Sequence, residues 1–158
     1  GDLLGRRLAA AVMHELLRSR IVISCAVSMV LAQVLKALVL LIQTRKLEMV
    51  RILESGGMPS SHASTVAALT ASIFIEEGVT SLSIAVLIFS LIVIRDAVGV
   101  RWVTGQMGVA INRIIASLRK ERRLKLGYIK ELMGHTPSQV VAGTLLGLAV
   151  TAIVYKVT

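Results

Sequence analysis

Two histidines stand beside residues that start helices. His62 closes the string Gly56-Gly57-Met58-Pro59-Ser60-Ser61-His62, and His135 sits in Gly134-His135-Thr136-Pro137. Proline and serine at 59–61 suit a helix start, and Pro137 opens an uncharged apolar run. A helix N-terminus presents unpaired backbone N–H groups and the positive end of a dipole, which together bind an anion such as phosphate. Lys36, Arg45, Arg95 and Arg101 fall near the same loops. Their charge-assisted hydrogen bonds suit phosphate oxygens. Histidine titrates near neutral pH, so one imidazole can attack phosphorus while the other, protonated, donates to the leaving oxygen. That scheme needs no metal. Plainer readings stand beside it: either histidine also serves as a hydrogen-bonding residue at a helix start, and Arg95 and Asp96 as an ion pair or a helix-end cap. His14, within an amphipathic stretch, reads as an ordinary interfacial residue.

The elements that must position these groups follow from composition. The chain has 158 residues, a net charge of +9 and a 55% hydrophobic content, with a mean hydropathy of +0.79. Disordered chains are poor in apolar residues, so disorder is excluded. Charged residues are 17%, below the roughly 25% of soluble domains, and the apolar residues fall in long blocks. The basic balance therefore reads as the rims of a membrane protein. With 3% aromatics the chain lacks stacking platforms for single-stranded nucleic acid, and no nucleic-acid partner is expected.

A single membrane domain over 1–158 is expected, an all-α polytopic helix bundle of about four spans plus amphipathic interfacial helices. Residues 1–20 form an amphipathic N-terminal helix without the apolar core and cleavage site of a signal peptide. The spans are 21–42, 59–75, 79–100 and 137–157, and 101–136 is a basic interfacial segment. Lys36 lies inside a span, where an ionisable group is costly unless it snorkels or faces a polar cavity. Small residues at four-residue spacing, Ala63, Ala67 and Ala71 on one span and Gly143 and Gly147 on another, allow close helix approach. The hairpin of the second and third spans brings 43–62 and 95–136, with both histidines, to one side. The acidic tip Glu76-Glu77 opposes that basic side, which is therefore expected to be cytoplasm-like, although the arginine-rich N-terminus then lies on the other face.

The histidine strings, with Ala32-Gln33-Val34-Leu35-Lys36, Arg45-Lys46, and Asp96-Ala97-Val98-Gly99-Val100-Arg101 followed by Gln106 and Asn112, resemble a known family. It is the divergent branch of the type-2 phosphatidic acid phosphatase superfamily, related to acid phosphatases and vanadium-dependent haloperoxidases. The likeness covers roughly residues 24–155. The wider superfamily carries K-x6-R-P, P-S-G-H and S-R-x5-H-x3-D. By that resemblance His135 is the nucleophile and His62 the general acid. Lys36, Arg45, Ser60, Ser61, Arg101 and Arg95 are then phosphate-binding, and Gln139 and Asp96 orienting. Position 129 holds Ile and position 139 Gln where the pattern has Arg and Asp, Ser61 replaces its glycine, and Lys36 and Arg45 are eight residues apart rather than six.

The resemblance implies a membrane phosphatase that hydrolyses a phosphatidyl or isoprenoid phosphate monoester through a phosphohistidine intermediate, without a cofactor. Membrane lipids and a lipid phosphate substrate would be its partners. The alternative is a catalytically inactive phosphate- or lipid-binding scaffold, and halide oxidation around vanadate ranks last. Because the superfamily's usual architecture has six helices, a homodimer, or recruitment of the N-terminal and 103–125 helices, would make up the difference.

Overall fold

Helices surrounded by lipid pack through small and polar residues and turn their large apolar side chains outward. The computed structural model follows that rule over residues 2–45, 57–120, 127–129 and 134–158, the ones it describes. These form helices α1 (Asp2–Arg18), α2 (Arg20–Thr44), α3 (Ser61–Glu77), α4 (Ser81–Val98), α5 (Val100–Lys120) and α6 (Pro137–Val157), with no strand among the described residues. The protein is an all-α helix bundle. Among the described residues, three stretches are long and apolar enough to cross a membrane: Arg20–Thr44, Ser81–Arg119 and Pro137–Val157. The 17 residues of α3 rise only about 25 Å at ~1.5 Å per residue. This short helix takes the centre, packing on α2, α4 and α6.

Composition explains that position. The buried residues of α3 are Ala63, Ser64, Ala67, Ala68, Ser72 and Ile73, whereas Val30, Val34, Ile88, Leu91 and Leu145 on the surrounding helices face outward. Gly143 and Gly147 of α6 lie directly on the α3 backbone, where a Cβ would run into the carbonyl oxygens of Ser60 and Ser64. Hydroxyl pairs stitch the helices where lipid offers no competing water: Ser28 with Ser64, and Thr70 with Ser90 at 2.8 Å. One end of the bundle is closed by Tyr155, whose hydroxyl donates to the Glu76 carboxylate at 2.6 Å while the Arg20 guanidinium lies 5.6 Å from its ring centroid. Arg20 also donates to the Thr158 carbonyl at 2.8 Å.

Pinning the start of α2, the end of α3 and the end of α6 there leaves the opposite end to the end of α2, the start of α3, the end of α4 and the start of α6. Both candidate histidines lie at that opposite end. The segment expected as a basic interfacial stretch, 101–136, is helical through Lys120. The remaining basic residues at 122, 123, 125 and 130, and the loop residues 46–56 with Lys46 and Arg51, lie outside the described residues.

Candidate active site

Ser60 is the N-cap of α3: its backbone is extended, at φ −71° and ψ 117°. Its hydroxyl accepts from the Ala63 N–H at 3.3 Å. The helix therefore begins one residue after the serine, and Pro59 precedes the cap. Ser61 opens the first turn half-buried, followed by an exposed His62. The Ser60 N–H donates to the carbonyl of Gln139 at 3.0 Å, fixing the start of α3 against the first turn of α6.

His135 reaches the same place from the other side. Its N–H donates to the Ala97 carbonyl at 3.0 Å, which ties it to the last turns of α4. Thr136 caps α6, accepting from the Gln139 N–H at 3.4 Å, and the Gln139 side-chain oxygen accepts from the Thr136 N–H at 3.1 Å. This is a reciprocal capping box with Pro137 in the first turn. The box sets the chemistry of the imidazole. A backbone N–H can only donate, so the atom facing Thr136 is the amide oxygen, and that same oxygen lies 3.3 Å from His135 Nδ1. In the tautomer that donates from Nδ1 to this oxygen, Nε2 carries the lone pair.

The two imidazole rings stand 5.9 Å apart, centroid to centroid, tilted by 59°. His135 is 4% exposed and His62 is open to the surroundings. A paired donor and lone-pair nitrogen at this separation can act on one tetrahedral anion.

Lys36 is buried on the inner face of α2, in line with Ser24, Ser28 and Ala32. Gly57 explains how it fits. At φ +90° this residue lies in the left-handed region, and a Cβ built there would lie 2.8 Å from Lys36 Cε and 3.0 Å from Cγ. The lysine stem thus occupies the space that a side chain at 57 would fill, and runs beneath the loop leading to the α3 cap. The structure brings Lys36, Ser60, Ser61, His62, His135 and Gln139 to one end of the bundle. It places Arg45 in an exposed left-handed C-cap of α2. Arg95 and Asp96 line a groove between α4 and α5 whose walls include neither histidine. Arg101 is placed by its backbone alone, in the first turn of α5, and its side chain lies outside those described.

One contact was visible only in three dimensions. The Asn112 amide nitrogen donates to the Ile129 carbonyl at 2.8 Å while its oxygen accepts from the Ile129 N–H at 2.9 Å. Position 129, where the superfamily pattern has arginine, is thus a main-chain anchor that ties the segment before His135 to α5. Asn112→Asp keeps the acceptor but turns a carboxylate oxygen toward a carbonyl, and is expected to cost about 1–3 kcal/mol. Faster amide exchange at Ile129, with the α3–α6 core unchanged, is the check.

The profile of the divergent PAP2 family matches residues 17–150. The chain is also 34% identical over 154 residues to a Bacillus subtilis (strain 168) protein described as "Uncharacterized membrane protein YuiD", covering 88% of this chain and 96% of that one. No solved structure matches. The membrane-crossing helices agree with the description of that relative as a membrane protein. The chain is an integral membrane protein and belongs to the divergent PAP2 family.

Proposed function

We propose that the protein is a membrane phosphatase hydrolysing a lipid phosphate monoester, a phosphatidyl or isoprenoid phosphate, through a phosphohistidine intermediate. One observation carries this reading: two imidazoles 5.9 Å apart, each at a helix start, with the Gln139 side-chain oxygen 3.3 Å from His135 Nδ1. His135 Nε2 attacks phosphorus, the bond from phosphorus to the lipid oxygen breaks, and His62 gives its proton to that oxygen. Water then attacks the phosphohistidine, His62 takes the proton, inorganic phosphate leaves and His135 is restored. Lys36, Ser61 and the backbone N–H groups opening α3 hold the phosphate oxygens, and Arg45, Arg95 and Arg101 add positive field at the same end.

The test is release of inorganic phosphate by the detergent-purified protein from phosphatidic acid and from isoprenoid monophosphates. Turnover of at least one is expected. Gln139 favours a second reading, a phosphate-binding scaffold, because an amide does not stabilise an imidazolium as a carboxylate does. Absence of turnover across the panel, with vanadate still raising the unfolding temperature, would establish that scaffold in place of the enzyme.

Gln139→Glu distinguishes the two further. Glutamate in the first turn keeps the capping box and suits the helix dipole. As a carboxylate facing Nδ1 it stabilises the positive phosphohistidine, and one pKa unit of added interaction corresponds to about tenfold in rate. A rise in kcat is expected, and an unchanged kcat with intact folding would remove Gln139 from the catalytic path.

A further inference from the structure

The end of α4 serves two surfaces. Ala97 presents its carbonyl to His135. The residues on either side of it, Ile92, Arg95, Asp96 and then Val100, Val103 and Met107 of α5, line a groove of about 690 Å³. That volume lies within the roughly 300–1,000 Å³ range of small-ligand sites. Its wall is mainly aliphatic, and Ile92, Val100, Val103 and Met107 are all exposed. Asp96 is half-buried and engaged within the protein, so the charge that the groove offers a ligand is the exposed Arg95 guanidinium. An apolar channel with one cation, beginning within a turn of the residue that fixes His135, matches an anionic headgroup joined to a hydrocarbon chain.

The geometry points to the α4–α5 groove as the seat of the substrate's acyl or isoprenoid chain, with Arg95 beside the anionic headgroup and the phosphate directed to the histidine pair. The inference rests on the reading of the protein as a lipid phosphate phosphatase. It adds where the lipid lies and what selects it. In a bilayer the chain gains little by leaving one apolar medium for another, so the groove acts by positioning. Its contribution appears as discrimination between long-chain and headgroup-only ligands.

The experiment uses the full chain in phosphatidylcholine nanodiscs, measuring both binding of dioleoyl phosphatidic acid and phosphate release. Val103→Trp and Met107→Trp fill the groove from exposed positions on α5, so neither disturbs the buried core. Each is expected to weaken phosphatidic acid binding about tenfold, because the indole takes the space of the chain and forcing both into one groove costs about 1–3 kcal/mol. Stabilisation by inorganic phosphate or vanadate should stay within about twofold. Equal phosphatidic acid binding by wild type and both variants overturns the groove, as does parallel loss of lipid and inorganic phosphate. So does displacement of the lipid by added phosphatidylcholine as strong as by phosphatidic acid, which makes the groove an ordinary lipid-facing cleft. The two readings fail separately. Wild type that binds phosphatidic acid through the groove but releases no phosphate ends the phosphatase reading and keeps the groove, and wild-type turnover that both variants share in full does the reverse.

Discussion

His135→Ala is expected to lower phosphate release from the preferred lipid phosphate by about 10⁴-fold or more, as removal of a covalent nucleophile does. The substitution leaves the local fold its supports. Alanine keeps the N–H that donates to Ala97, and Gln139 keeps its bond from the Thr136 N–H, so the capping box survives. A melting temperature close to wild type should accompany the loss. His62→Ala removes the proton donor, for which a loss of about 10²–10⁴-fold is expected on a lipid ester. Its signature is dependence on the leaving group. An aryl phosphate whose phenolate departs without a proton should restore the initial burst of phenolate release, the step that forms the phosphohistidine, in His62→Ala and not in His135→Ala. Equal losses on both substrates in both variants would mean that the histidines do not divide the roles as assigned, and a His135→Ala protein with the wild-type rate would end the proposal.

The pairing of these histidines was readable from the sequence because it depends on topology. Each precedes a helix, and hairpin connection of apolar segments brings alternate helix ends to one face. The family strings placed the same residues, and the family match bears out that resemblance. Finer placement was not readable. Arg95 and Asp96 are neighbours in sequence with the residue that contacts His135, yet they line the groove toward α5, because the rotation of α4 about its axis is set by its contacts with α3 and no local signal reports it. The role of Lys36 was half-legible: an ionisable residue inside a span pointed inward, but its seat over Gly57 requires the left-handed backbone of a loop residue some twenty positions on. The reciprocal cap was spelled out by Thr136 and Gln139 at N-cap and third helical position. Reading Gln139 only against a motif aspartate concealed that the same oxygen serves the helix and the imidazole. The helix expected at 103–125 within the basic segment runs from Val100 to Lys120.

Gly143→Ala is expected to damage both stability and turnover. A Cβ at 143 meets the Ser60 carbonyl oxygen inside van der Waals contact and lies 3.2 Å from the Ala63 methyl. That carbonyl accepts from the Ser64 N–H at 3.0 Å within α3 and belongs to the cap residue, so it has no room to swing aside. The helices must separate instead, and overpacking of this kind costs about 1–3 kcal/mol. Gly147→Ala, one turn on against Ser64 and Ala67, is expected to cost a similar amount. The double variant should cost less than the sum, because one separation of α3 from α6 relieves both clashes. Activity should distinguish the two sites. Ser60 is two residues from His62, and its N–H is bonded to Gln139, so separation at Gly143 moves the histidines relative to each other. A misplacement of about 1 Å carries up to ~10²-fold in rate. Gly147 lies a turn away from the histidines, so Gly147→Ala should lose stability with a smaller loss of turnover. Gly127→Ala, with open space around the added methyl, is the control. Thermal midpoints and phosphate release for all four proteins decide the matter: a Gly143→Ala variant as stable and active as the Gly127→Ala control would show that α3 and α6 do not approach each other this closely.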